Sequence, residues 1–149
     1  MKTLLTSLVI AISLVTTSAN AWISDDFLPR NVGSVAVKIL DNTDDGCWTN
    51  LREAKTYAED KLDLAGFKIR SSRAESEYNG YTMTINVVSE RQGSGNCYGS
   101  IKFEIDITNE RNGIFGFHLV GTSGSIFSGY DNANKNVINN ISQFFKDLP

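Results

Sequence analysis

Two stretches of strict alternation constrain this chain most. In "YTMTINV" the residues Tyr81, Met83, Ile85 and Val87 alternate with Thr82, Thr84 and Asn86, and in "IKFEIDIT" Ile101, Phe103, Ile105 and Ile107 alternate with Lys102, Glu104 and Asp106. Period-two alternation places every apolar side chain on one face of a strand and every polar one on the other, which is the pattern of an antiparallel sheet with one wet face. "EYNGY" and "NERNGIF" each hold the Asn-Gly pair favoured in tight hairpin turns. "SVAVKIL", "FKIRS" and "IFGFHLVG" read as three further strands, the last with Phe115, Phe117 and Leu119 inward.

Elsewhere the period is helical. Cys47, Leu51, Ala54, Ala58, Leu62 and Ala65 recur at steps of three or four, with Gly66 where a left-handed cap is wanted. Val137, Ile141, Phe144 and Leu148 make a second stripe, and the glycine- and serine-rich stretch "GTSGSIFSGYDN" before it reads as a loop. The expected fold is therefore α+β, a two-layer sandwich in the order β-α-β-β-β-β-α. Its antiparallel sheet carries both helices on one face, because each element has a single apolar side to bury.

The first residues set the compartment. "MKTLLTSLVIAISLVTTSANA" has Lys2, an apolar run from Leu4 to Val15, and Ala19 and Ala21 around Asn20, the pattern of a secretory signal peptide cut after Ala21. The run is interrupted by Thr6, Ser7 and Ser13 and is shorter than the roughly 20 residues that span a bilayer. No cysteine follows the cut, which argues against a lipoprotein, and no membrane insertion is expected after cleavage. Residues 22–33 read as a loosely ordered arm and 34–149 as one domain.

Removing residues 1–21 from 149 leaves 128, and it removes only Lys2 among the charges, so 13 basic residues face 17 acidic ones. That balance lacks the basic stripe of a nucleic-acid binder. The two cysteines are an even count in an exported chain and predict a Cys47–Cys97 disulfide. Strand parity carried back from Ile101 puts Cys97 on the core side, and Cys47 begins the buried helical stripe. A reactive Cys47 thiol at the helix start is the alternative, opposed by the neighbouring Asp44 and Asp45.

Candidate chemistry is sparse. Asp41, Asp45 and Gly46 match part of a calcium loop, but Thr43 and Arg52 occupy two ligand positions. The single histidine, His118, alternates with Phe117 and Leu119 and is expected on the wet face, and one histidine with two paired cysteines makes no zinc set. Glu104, Asp106 and the Asp41 to Asp45 cluster are the carboxylates nearest to a hydrolase pair, with no spacing that brings two together. "GSGNCYGS" and "GTSGSIFSG" lack the lysine of a phosphate loop, so no cofactor is expected.

Their aromatics Tyr98, Phe127 and Tyr130 are the candidates for contact with a partner. These residues favour a secreted or periplasmic, non-catalytic binding or accessory domain, with a protein, peptide or glycan partner. An inhibitor or immunity protein of a secreted enzyme and a small secreted hydrolase are the competing readings. The layout resembles the small helix-on-sheet sandwiches of bacterial envelope accessory proteins such as the LPS-assembly lipoproteins and the N-terminal domain of the Tol translocation protein, a likeness of architecture that implies an envelope role.

Overall fold

The alternating segments form the middle of a five-stranded sheet. A computed structural model describes residues 22–70, 80–111, 114–146 and 148. Its elements are β1 (Trp22–Ile23), β2 (Val35–Thr43), α1 (Leu51–Leu64), β3 (Gly80–Arg91), β4 (Cys97–Arg111), β5 (Ile114–Tyr130) and α2 (Asn134–Lys146), and the strand order across the sheet is β1-β5-β4-β3-β2.

The architecture is α+β with two helices, but the sheet is mixed rather than antiparallel. β2 runs parallel to β3, from Val35 opposite Tyr81 to Thr43 opposite Ser89, while β3–β4, β4–β5 and β1–β5 are antiparallel. The reason is the connection. A helix between neighbouring strands carries the chain back to its starting end, so the second strand repeats the direction of the first.

Other strand expectations change, and Leu119, expected inward, lies opposite Asp106 on the face away from Ile105. "FKIRS" contributes only a parallel bridge of Ile69 to Val35, made by Val35 N–H to the Lys68 carbonyl (2.8 Å) and Arg70 N–H to the Val35 carbonyl (2.9 Å). The stretch expected as a loop from Gly121 is strand, because β5 continues to Tyr130. Small side chains there lie on the core face opposite large ones, Gly121 across from Ile105, Ser123 from Phe103 and Ser125 from Ile101. Packing thus overrides a composition that favours turns.

Residues within 22–33 make defined contacts with the sheet. Trp22 and Ile23 pair with Thr122 and Gly121, and the buried Phe27 stacks on Phe67 at 4.7 Å and tilts against Tyr81 at 5.6 Å. The Asn-Gly pairs at 79–80 and 112–113 fall wholly or partly outside the described residues, as do residues 1–21.

One core cluster joins the layers. It takes Val35 and Val37 from β2, Met83, Ile85 and Val87 from β3, and Ile101, Phe103 and Ile105 from β4. Ala54, Ala58 and Leu62 of α1 and Val137, Ile141 and Phe144 of α2 complete it. Phe144 stacks on Phe103 at 5.3 Å, which fixes α2 against β4. Gly66, with φ of +92°, ends the first helix as its sequence predicts.

Candidate functional site

Cys47 and Cys97 are disulfide-bonded, with alpha carbons 5.7 Å apart, and both are fully buried. Cys47 sits not on α1 but in the connector before it, where its N–H donates to the Asp44 carbonyl at 3.0 Å. Its carbonyl accepts from Ala133 N–H at 2.6 Å, so the bond ties the approach to α1, the start of β4 and the approach to α2.

Arg91 holds the same end of the molecule. Its Nε and Nη2 donate to the Asp45 carbonyl at 3.2 and 3.0 Å, and its Nη1 donates to the Asp131 carbonyl at 3.2 Å and to the Gly95 carbonyl. One guanidinium thereby joins three turns, using the fixed fork that only arginine offers.

Of the candidate contact residues, Tyr98 lies on the sheet face away from the core. Tyr98 is 37% exposed, and its hydroxyl donates to Glu90 Oε2 at 2.8 Å. That hydrogen bond, reinforced by the carboxylate charge, raises the phenol above its ordinary pKa. Val88 and Ile126, 46% and 89% exposed, lie on this face in the row of Ser100, one row from Tyr98 and Ser128. Antiparallel partners share a face, so Val88, Tyr98 and Ile126 stand exposed on one face across three strands.

Tyr130 is 49% exposed, paired with Cys97 past an irregularity of register where Gly129 has φ of +85°. Phe127 differs from the other two aromatics. It is 7% exposed, lies opposite Gly99 and belongs to the core cluster.

Val88 and Ile126 escape sequence reading because each interrupts a rule. Val88 is the second of two consecutive valines and takes a polar-face position, and Ile126 stands in a glycine-serine stretch whose strand register is not evident.

Of the candidate carboxylates, Asp41 stands on β2, and Glu104 and Asp106 stand on β4. Glu104 forms an ion pair with Lys102 at 2.7 Å. Asp106, two residues on, is 9% exposed, opposite Thr82 and Leu119. Burial, with the Glu104 charge adding to it and Lys38 opposing it, raises the Asp106 pKa. Asp41 lies three residues along β2 from Lys38, whose row leads through Thr84 to Glu104, and Asp41 Oδ1 already accepts from Thr43 N–H (3.1 Å) and Thr43 Oγ1 (2.7 Å). His118 is exposed, opposite Ile107. A shallow groove of about 530 Å³ along α1, lined by Arg52, Glu53, Tyr57 and Asp60 among others, is open to solvent.

These features define a disulfide-bonded α+β domain with one five-stranded mixed sheet and two helices. No protein-family model and no curated protein matches the chain. Among solved structures it is similar to a PelC point-variant dodecamer from Paraburkholderia phytofirmans, with 15% identity over 88% of this chain and 95% of that one and a TM-score of 0.52. A second PelC dodecamer from that organism gives 17% identity, 78% and 89% coverage and a TM-score of 0.47. Lipoprotein GNA1162 from Neisseria meningitidis gives 15%, 74%, 93% and 0.38. At these identities the likeness to PelC is one of fold.

Proposed function

We propose that the chain is exported, is cut after Ala21, and works in the periplasm or outside the cell as a non-catalytic accessory domain that binds a protein, peptide or glycan. The observation that carries the reading is the buried Cys47–Cys97 disulfide. Such bonds persist in oxidising compartments, and the leader pattern at residues 1–21 gives the route there.

Both helices cover the same sheet face in this reading, supported by the stacking of Phe144 on Phe103 and by the shared core of α1, α2 and the central strands. The other face is then free, and Tyr98 on it and Tyr130 at the disulfide end of β5 are the contact residues. Aromatic side chains held by a rigid sheet provide large contact area at low entropic cost.

The test places a photo-reactive phenylalanine analogue at Tyr98 of the exported protein in its native host and reads intact masses after irradiation. The expected product is a defined adduct, absent when the analogue stands at Leu64, on a protein that begins at Trp22 and whose thiols label only after reduction. A protein that retains residues 1–21, thiols that label before reduction, or no adduct at Tyr98 would each sink a named part of the reading.

A further inference from the structure

The two edges of the sheet are guarded differently. On the β2 edge the backbone groups of Val35 are taken by Lys68 and Arg70, and the N–H of Thr43 is taken by the Asp41 carboxylate. Lys38 and Asp41 add charge along the same strand. Such devices keep an edge from pairing with another chain.

On the β5 edge β1 covers two positions, Gly121 and Thr122, and the N–H of Ser24 reaches the Val120 carbonyl at 2.8 Å. Backbone direction alternates along an antiparallel strand, so beyond Thr122 the N–H and C=O groups of Gly124, Ile126 and Ser128 turn outward. Among the described residues none pairs with them. From Leu119 to Tyr130 the strand has no charged residue and no proline. Ile126 stands at the middle of this open row at 89% exposure.

We propose that this edge is the interface with a second copy of the chain. β5 pairs antiparallel with β5 about a two-fold axis at Ile126, so that Gly124 lies opposite Ser128 of the partner subunit. The argument for a second copy is electrostatic and geometric. An uncharged strand meets its own likeness without the like-charge repulsion that a charged edge would impose. A strand row centred on one large apolar residue is self-complementary under a two-fold axis, which places the two Ile126 side chains side by side on the exposed face. The bulge at Gly129 ends the usable edge.

The test is sedimentation equilibrium of the purified, oxidised protein over a wide concentration range. A dimer is expected. Ile126→Pro removes an outward N–H without touching the ladder to β4, and Ile126→Lys places two charges at the axis, so each weakens dimerisation about tenfold or more. Leu64→Lys, at a residue 80% exposed on α1, leaves it unchanged. Circular dichroism checks that each variant folds, and Ile126→Lys decides if the proline variant does not. A monomer at every concentration overturns the proposal. An assembly that Ile126→Lys leaves intact overturns it as well.

Discussion

Asn134, the first residue of α2, ties down the connector that leads into α1. Its Oδ1 accepts from the backbone N–H groups of Thr49 (3.0 Å) and Asn50 (3.4 Å) at the approach to α1, and its Nδ2 donates to Thr49 Oγ1 at 2.9 Å. Asn50 itself makes no side-chain cap, its Nδ2 donating instead to Glu53 and its Oδ1 accepting from Trp48 Nε1. Asn134→Ala therefore strands donors at the start of α1 and costs about 1–2 kcal/mol. Urea unfolding checks this, and Asn134→Asp, which keeps the acceptor, should lose less.

Replacing both Cys47 and Cys97 by alanine frees a loop with a sequence separation of 50. Chain entropy alone sets the stabilisation at about 4 kcal/mol, and structure left in the unfolded chain lowers the expected loss to about 2–4 kcal/mol. The midpoint of urea unfolding should fall accordingly, and the single-alanine variants should fall at least as far, since each leaves a thiol buried.

Arg91 reinforces the same end through Asp45, Gly95 and Asp131. Arg91→Ala is expected to cost about 1–3 kcal/mol, because charge-assisted bonds to three backbone carbonyls are lost together. Arg91→Lys should recover only a minor part, as one ammonium cannot reach turns that the guanidinium spans from both sides. A double-mutant cycle of Arg91→Ala with Asn134→Ala measures whether the two ties are coupled.

Legibility from sequence followed the strength of the local signal. β3 and β4 are evident because two-fold alternation holds through every residue that matters, and Cys97 falls on the core side by that same parity. α1 is evident from its stripe at Leu51, Ala54, Ala58 and Leu62, but the stripe runs back to Cys47, because a buried connector and a helical stripe share the same spacing. The parallel pairing of β2 with β3 is a property of the connection and not of either strand, so no single segment reports it. β5 was read short because Gly121, Ser123 and Ser125 look like loop residues until the large side chains opposite them are known. The shared exposed face of Val88 and Ile126 needs the cross-strand register, which is set by Gly129 and by the extra residue at Val120.

Asp106 makes stability depend on pH. Burial raises its pKa in the folded state above the unfolded value, so the folded chain holds the proton more strongly. The contribution to stability is fully present below the unfolded pKa and is lost as pH rises through the folded one. Asp106→Asn cannot ionise and should melt higher than the parent at neutral pH, with the difference shrinking as pH falls below the ordinary carboxylate range. Thermal unfolding across that range checks the sign, and a difference that does not vary with pH would falsify the assignment.

Gly99 is the position where the sheet tolerates least. It lies between Ser89 on β3 and Phe127 on β5, two residues from Cys97. A Cβ built there would collide with the Val88 carbonyl oxygen and come within 2.6 Å of Ser89 Cβ. The carbonyl is backbone and cannot rotate aside, so Gly99→Ala must push β3 and β4 apart or displace Phe127 from the core. A loss of about 1–3 kcal/mol is expected for overpacking of this kind. The effect should be local: amide exchange should speed up around Val88, Ser89 and Phe127 while the α1 amides near Ala58 keep the protection that global unfolding sets. If Gly99→Ala leaves both the unfolding midpoint and those amides unchanged, the close approach of β3 and β4 at this row is wrong.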